Sequence, residues 1–387
     1  MSQKSLPAVF MRGGTSKALM VHPRDLPENR DDWAPIFLAA MGSPDPYGRQ
    51  LDGMGGGVSS LSKVCIIGPS THPDADVDYT FAQVQVKDAR VDYRGNCGNM
   101  SSAVGPYAVD QGLVKATGTS TTVRIHNTNT QKIIHSTFAT QDGATVYGGD
   151  LEIPGVGGTG SPIKLDFVEP GGATTGKLLP TGRVLDTLEI PGLGQLEVSM
   201  VDAANATVFV RAKDIGLTGL ELPDEVESRP ELLKLLNEIR IRASVAMGIA
   251  PDLESARTTT SVPFIGFVSP AADNPTLSGD SVPAKDIDLV ARVMSNGQPH
   301  RALPLTVSLC TAVAARMTGT VVSQMLSSDT PAQGALRLGM PSGVLTVGAD
   351  VVQEEGEWKA LAGSFYRTAR MLFDGRVWVP ASTMPKA

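Results

Sequence analysis

The sequence predicts an α+β fold built from two similar halves, and three observations carry that expectation. A chain of 387 residues exceeds the usual size of one hydrophobic core, so two domains of about 190 residues each are expected. Its 41 glycines, 27 prolines and β-branched runs such as Thr121-Thr122-Val123-Arg124-Ile125 favour short strands joined by tight turns. Two helical stretches rich in small residues, one after Cys97 and one from Leu305 to Met317, mirror each other across the halves.

In chain order, Ala8 to Met11 reads as a first strand ending in the glycine turn Arg12-Gly13-Gly14-Thr15-Ser16-Lys17. Asp32 reads as the N-cap of a short helix that stops at Gly42. A glycine-rich loop, 52–57, leads to a strand over Val64 to Ile67, and Tyr79 to Val86 alternates as the next strand. The Cys97 helix follows; Gln111-Gly112 should end it, and Pro106 should kink or shorten it. Strands are expected at 121–126, 133–138 and 163–167, before the turn cluster 170–182 marks a domain boundary. Beyond it come strands over 196–210, and an amphipathic helix in which Leu232, Leu235, Leu236 and Ile239 recur at helical spacing. The small-residue helix at 305–317 is next, then a turn at Pro341-Ser342-Gly343 and a final hairpin expected at Asp374-Gly375. The domains are drawn at 1–184 and 185–370, with a C-terminal strand over 371–387 that could return to the first.

A net charge of −7 argues against nucleic acid or an anionic membrane as the main partner. Cys65, Cys97 and Cys310 are too few and too dispersed for a disulfide framework, and neither Cys-x-x-Cys nor His-x-x-x-His spacing suggests zinc. The N-terminus lacks the apolar core of a signal peptide, and no apolar run approaches the roughly 20 residues of a membrane span. A cytoplasmic protein with no metal site is expected.

Two positions carry chemistry. Cys97, collared by Asn96, Gly98 and Asn99, sits where a tight turn opens into a helix, so free backbone amides and the helix dipole would stabilise a thiolate or a nearby carboxylate. The same pattern also fits an inert cysteine in a core. Lys63 enters an apolar strand at its edge, where desolvation favours a free amine and suits a general base; a lysine there can equally reach into solvent. Cys65 shares its strand face and reads as core, as does Cys310, two turns inside its helix. The 12–17 turn could hold an anion, but its spacing fits neither a P-loop nor a dinucleotide fingerprint.

Together, Arg12-Gly-Gly-Thr-Ser-Lys17, Asp52-Gly-Met-Gly-Gly with Ser62-Lys63, Gly95-Asn-Cys97-Gly-Asn with Ser101-Ser-Ala-Val-Gly-Pro106, Thr175-Gly-Lys-Leu-Leu-Pro-Thr-Gly182, His300-Arg-Ala and Pro341-Ser-Gly343 closely resemble the PrpF family from about residue 8 to 380. That family comprises 2-methylaconitate and aconitate isomerases, methylitaconate Δ-isomerases and 4-oxalomesaconate tautomerases, and shares the two-lobed fold of diaminopimelate epimerase. The resemblance implies two lobes, each a β-barrel-like sheet around a central helix, with substrate between them and no cofactor. It places the family's catalytic lysine and cysteine on Lys63 and Cys97. Substrate-binding candidates are Arg12, Ser16, Lys17, His300, Ser308, Ser342 and Gly343, with Asn96, Gly98 and Asn99 of the Cys97 turn offering amides to a developing negative charge. This sequence departs from the commoner family pattern at Ala206 and at Leu303 to Leu305, which could line the substrate's variable end. The implied reaction is a 1,3-allylic proton shift in a small unsaturated di- or tricarboxylate, with either Lys63 or Cys97 as base; a homodimer is allowed. The alternatives are an epimerase, which would need a second thiol, and a non-catalytic polycarboxylate binder.

Overall fold

The structure, a computed structural model, describes residues 2–93, 97–258, 262–295 and 297–384. The chain divides into two compact units, Met1–Phe167 with Tyr366–Ala387, and Val168–Phe365. The turn-rich stretch 170–182 belongs to the second.

In the first unit β1 (Gln3–Gly13) and β2 (Ser16–Val21) form a hairpin, and α1 (Trp33–Met41) precedes β3 (Lys63–Pro69) and β4 (Val77–Val84). Helix α2 (Gly98–Asp110) leads to β5 (Ser120–Asn127), β6 (Lys132–Gln141) and β7 (Ile163–Val168). In the second unit β8 (Asp186–Ile190), β9 (Gly194–Ala203) and β10 (Asn205–Arg211) come before α3 (Pro230–Ala246). Then follow β11 (Phe264–Pro270), β12 (Leu289–Ser295), α4 (Leu305–Arg316), β13 (Ala335–Met340), β14 (Gly343–Glu354) and β15 (Glu357–Arg367). The last strand, β16 (Ala369–Pro380), returns to the first unit and pairs antiparallel with β1.

The two units repeat one topology. The first has strand order β16-β1-β2-β3-β4-β5-β6-β7, in which β2–β3 and β4–β5 are parallel and the other pairs antiparallel. The second has order β8-β9-β10-β11-β12-β13-β14-β15, in which β10–β11 and β12–β13 are parallel and the rest antiparallel. A parallel step needs a crossover long enough to return the chain to the same end of the sheet. Helices α1 and α2 lie in the crossovers of the first unit, and α3 and α4 occupy the same places in the second.

Period-two alternation sorts the first sheet into two faces. Val64, Ile66, Ala82 and Val84 share a core with Ile36, Phe37, Ala40 and Met41 of α1. The opposite face of the same strands carries Lys63 and Cys65 on β3 against Gln83 and Phe81 on β4. Helix α2 packs on β1, β2, β5 and β6 and is buried from Met100 through Val109. Its small residues allow that approach: a Cβ on Gly105 would lie 2.6 Å from Ser136 Oγ.

One local expectation is corrected and two are narrowed. Pro106 does not shorten α2, which runs on to Asp110. One lost helical bond and a ring clash cost about 3 kcal/mol, whereas burying Met100, Val104, Tyr107 and Val109 returns about 1.5–3 kcal/mol for each large side chain. Asp32 stands at the N-cap of α1 but its side chain makes no cap hydrogen bond, because a 3₁₀ turn over Arg30–Asp32 already has it in helical conformation. Asp374-Gly375 is not a turn. Both residues lie inside β16, opposite Val9 and Ala8 of β1, and pairing along a whole strand outweighs the local turn preference of the dipeptide.

Candidate active site

Lys63 begins β3 and is 6% exposed. Its Nζ donates to Gln83 Oε1 at 2.5 Å and lies 4.9 Å from the centroid of the Phe81 ring. Gln83 is the cross-strand partner of Lys63 in the antiparallel β3–β4 pair. Its amide cannot turn freely, because Nε2 donates to the carbonyls of Ser59 (3.0 Å) and Ser62 (2.9 Å). These two bonds fix Oε1 as the atom presented to the lysine. The Ser59–Leu61 turn that supplies one carbonyl is itself held by Gln50, which donates to Ser62 Oγ (2.7 Å) and accepts from the Gly57 amide (3.0 Å).

Cys97 is the N-cap of α2, half-buried, with extended backbone (φ −110°, ψ 95°) and no capping bond from its side chain. Its carbonyl accepts the first helical bond, from the Ser101 amide at 2.9 Å. The first-turn amides of Gly98, Asn99 and Met100, which follow Cys97 in the chain, have no partner one turn back in the helix. Asn96 and its two predecessors lie outside the described residues.

Cys65 links the two groups. It is fully buried, and its Sγ lies 3.9 Å from Tyr79 Oη. Burial, and then the neighbouring Cys97 sulfur, push the Cys65 thiol far above its ordinary value, while the Tyr79 hydroxyl and the Lys63 ammonium pull it down. Tyr79 is raised likewise, by burial and then by Cys65 and Cys97. Cys65 thus feels the charge of both Lys63, its neighbour on the same strand face, and Cys97.

The glycine turn closes against the same helix end. Gly14 has φ +51°, and a Cβ there would lie 2.2 Å from Asn99 Oδ1; one on Gly13 would lie 2.7 Å from Asn99 O. Glycine is needed for both reasons. The Asn99 side chain is engaged at each end, Nδ2 donating to Thr15 Oγ1 (3.1 Å) and Oδ1 accepting from Arg367 Nε (3.1 Å). Arg12 Nη1 donates to the carbonyls of Gly14 and Thr368, both at 2.9 Å. Burial, and then Arg370, lower the Arg12 pKa. Ser16 is buried, and Lys17 Nζ lies 5.6 Å from the centroid of the Phe10 ring.

The remaining sequence candidates belong to the second unit. The His300 ring Nδ1 lies 2.6 Å from Ala302 O. Ser308 is buried in α4 and donates to Leu305 O at 2.8 Å. Ser342 and Gly343 sit at the β13–β14 hairpin turn, where Ser342 Oγ is buried and, among the described residues, without a hydrogen-bond partner.

Sequence reasoning missed Gln83 and Arg367. The register of the 63–84 hairpin was the available signal for Gln83. Arg367 reaches Asn99 across 268 residues of sequence, and burial lowers its pKa to about 10.

Repetition of the topology sharpens the chemistry. The starts of β3 and α2 correspond to those of β11 and α4, where the second unit has Phe264 and Pro304. Cys310 lies inside α4, fully buried, its Sγ 3.4 Å from Val201 O, and burial drives its pKa up to about 12. Among the described residues, the corresponding positions of the second unit thus carry neither a lysine nor a cysteine. Among the described residues no group of three or more His, Cys, Asp or Glu could hold a metal, and no helix is long and apolar enough to cross a membrane.

The chain is thus built of two topologically repeated α+β units, with a buried lysine and a helix-capping thiol in one of them, and its relatives are named isomerases and a tautomerase. A family model described as PrpF protein matches residues 3–380, and the chain belongs to the PrpF family. It is 44% identical over 379 residues to a 3-methylitaconate isomerase of Eubacterium barkeri, covering 97% of this chain and 98% of the relative. It is 38% identical over 389 residues to a 2-methyl-aconitate isomerase of Shewanella oneidensis, covering 98% of each chain. A 4-oxalomesaconate tautomerase of Pseudomonas putida is 36% identical over 383 residues, covering 99% of this chain and 98% of the relative. A solved structure of a methylitaconate-delta-isomerase superposes with TM-score 0.92 at 42% identity, covering 100% of this chain and 98% of the other.

Proposed function

We propose that the protein is a cofactor-independent isomerase that moves a C=C bond in a small unsaturated di- or tricarboxylate by a 1,3-allylic proton shift, with Lys63 and Cys97 as its acid–base pair. The observation that supports the assignment is a buried lysine held by Gln83 in the same unit as a half-buried thiol at the N-cap of α2. Relatives named for 3-methylitaconate, 2-methylaconitate and 4-oxalomesaconate supply the substrate class.

The step balances without an oxidant or a metal. One group of the pair takes the proton from an sp³ carbon flanking the double bond, and the C–H electrons enter a dienolate conjugated with a carboxylate. The other group then delivers a proton to the far end of the allyl unit, and the double bond has moved. A positioned acid or base is worth about 10²–10⁴-fold in rate. The dienolate charge is met by the first-turn amides of α2, Gly98 to Met100. Asn99 contributes its backbone, since its side chain is held by Thr15 and Arg367. Arg12, Ser16, Lys17, His300, Ser308, Ser342 and Gly343 stand as proposed substrate contacts, and three unpaired thiols fit a reducing cytoplasm.

An epimerase with two facing thiols has less support, since Pro304 occupies the second helix entrance and Cys310 lies inside its helix. The test is incubation in D₂O with aconitate, 2-methylaconitate, 3-methylitaconate and 4-oxalomesaconate, followed by proton NMR, with and without a chelator. Isomerised product carrying deuterium at an allylic carbon, unaffected by chelation, is expected. Exchange at a saturated stereocentre without bond migration would favour the epimerase, and binding without exchange would favour a binder.

A further inference from the structure

The glycine run from Gly53 to Gly57 has no part in the reaction proposed above, and its amides are not free to cradle an anion. Those of Gly53, Met54, Gly55 and Gly56 donate to the carbonyls of Gln50, Ala40, Met41 and Leu61, and that of Gly57 donates to Gln50 Oε1 at 3.0 Å. What the run surrounds is the Gln50 side chain. A Cβ on Gly55 would lie 2.2 Å from Gln50 Oε1. Gln50 is 1% exposed and has φ +53°, a left-handed backbone that is strained for a residue with a side chain and persists only where its surroundings over-determine it. Asp45 supports that conformation, its carboxylate accepting from the Gln50 amide at 2.6 Å and from those of Tyr47 and Arg49, both at 2.9 Å.

The buried Gln50 amide is engaged at both ends. Nε2 donates to Ser43 Oγ (2.8 Å) and Ser62 Oγ (2.7 Å), while Oε1 accepts from Gly57. Gln50 therefore grips the chain at 57 and again at 62. The two carbonyls that orient Gln83, those of Ser59 and Ser62, lie within the gripped stretch. Ser62 is fully buried, directly precedes Lys63, and its carbonyl also accepts from the Val84 amide at 3.1 Å. A glutamine amide presents an acceptor on one side and two donors on the other. Turned over, Gln83 would aim N–H donors at an ammonium that can only donate. The acceptor offered to Lys63 Nζ thus depends on a segment that Gln50 holds in place.

We propose that Gln50 is a positioning residue for Lys63, acting through the 57–62 segment and Gln83, and that the glycine run serves to admit its side chain. The proposal rests on the reading of Lys63 as one of the acid–base pair, and it assigns Gln50 no contact with substrate.

The test uses three variants and a control, with thermal unfolding to check the fold. Gln50→Leu removes all three side-chain bonds, and Gly55→Ala keeps the glutamine but pushes its amide aside. Ser62→Ala removes one bond and should show the same changes at smaller size, which keeps the test open if the others fail to fold. The first readout is the titration of Lys63 by NMR of isotope-labelled lysine ε-carbons, with Lys63→Ala assigning the signal. Loss of an aligned acceptor disfavours the ammonium, so Lys63 should titrate at lower pH in Gln50→Leu and Gly55→Ala than in native protein. The second is initial isomerisation rate on the member of the four-substrate panel that native protein turns over. There kcat should fall about 10-fold, the lower end of what a lost hydrogen bond to a charged group costs, with KM little changed. The double variant Q50L/Q83L should be no slower than Gln83→Leu alone, because the two residues act in series, whereas a merely structural glutamine would multiply the losses. Folded variants in which Lys63 titrates as in native protein, or multiplied losses in the double variant, would overturn the proposal. Native turnover in Lys63→Ala would overturn the catalytic reading on which it rests, an outcome that the lysine titration tells apart from a failure of Gln50 to position the amine.

Discussion

Replacing Gln83 by leucine removes the acceptor of the Lys63 bond and both donors that bind the Ser59 and Ser62 carbonyls. A hydrogen bond to a charged group contributes about 1.5–3 kcal/mol. If that bond holds Nζ where the substrate proton is transferred, its loss appears in the barrier as about 10- to 150-fold in kcat/KM, since about 1.4 kcal/mol is tenfold. Loss of aim should fall mainly on kcat, whereas a residue that only shapes a binding surface would act through KM. Gln83→Glu adds a second readout. A carboxylate at 83 stabilises the ammonium form of Lys63, so the limb of the pH–rate profile that reports the lysine should move to higher pH. That limb is the acidic one if Lys63 is the base and the basic one if it is the acid, which settles the roles. The assay is initial isomerisation rate against pH for native, Q83L and Q83E proteins, with thermal unfolding to confirm the fold. A folded Q83L protein with native kcat, or a Q83E profile unmoved in both limbs, would refute the positioning role.

Three further outcomes are expected. A disulfide-exchange reagent at pH 8 should modify one thiol per native chain, Cys97, and three after denaturation, because Cys65 and Cys310 are fully buried and held protonated; two or more fast thiols in native protein would contradict the burial. Gly14→Ala should destabilise by about 2–4 kcal/mol in a denaturant titration, the sum of a left-handed backbone and a clash with Asn99, and a neutral result would mean that the turn is not held against α2. Burial raises the Asp78 carboxyl, but hydrogen bonds, led by those from Thr71 and His126, outweigh it and leave the pKa below the usual range. Its stabilisation is therefore present above the unfolded carboxylate pKa of about 3.9 and lost as pH falls through the lower folded value. Asp78→Asn should cost stability at pH 7, and the difference from native protein should shrink below about pH 4; a pH-independent difference would contradict the linkage.

Much of this was legible in the sequence because it is local. The amphipathic period of Leu232 to Ile239, the mirrored small-residue helices and the helix entrance at Cys97 each report their own segment, and all lie where expected. What failed depended on partners remote in the chain. Asp374-Gly375 reads as a turn until β1, some 365 residues earlier, claims it as strand. Pro106 reads as a helix breaker until the burial of its neighbours is counted. Gln83 was one polar residue in an alternating strand, and its meaning came only with the β3–β4 register. Arg12 and Lys17 were legible as cations in a turn, but not as groups already occupied by carbonyls and an aromatic ring.

The measurement that bears most directly on the central claim is deuterium exchange catalysed by Lys63→Ala and Cys97→Ser, each followed by NMR in D₂O from both isomers of whichever substrate the panel yields. If the two residues divide the proton transfers, both variants lose isomerisation by at least 10²-fold. Each should then keep measurable wash-in only from the isomer whose proton faces the surviving group. Native rates in either variant, or loss of exchange from both isomers in one variant with none in the other, would contradict an acid–base pair made of Lys63 and Cys97.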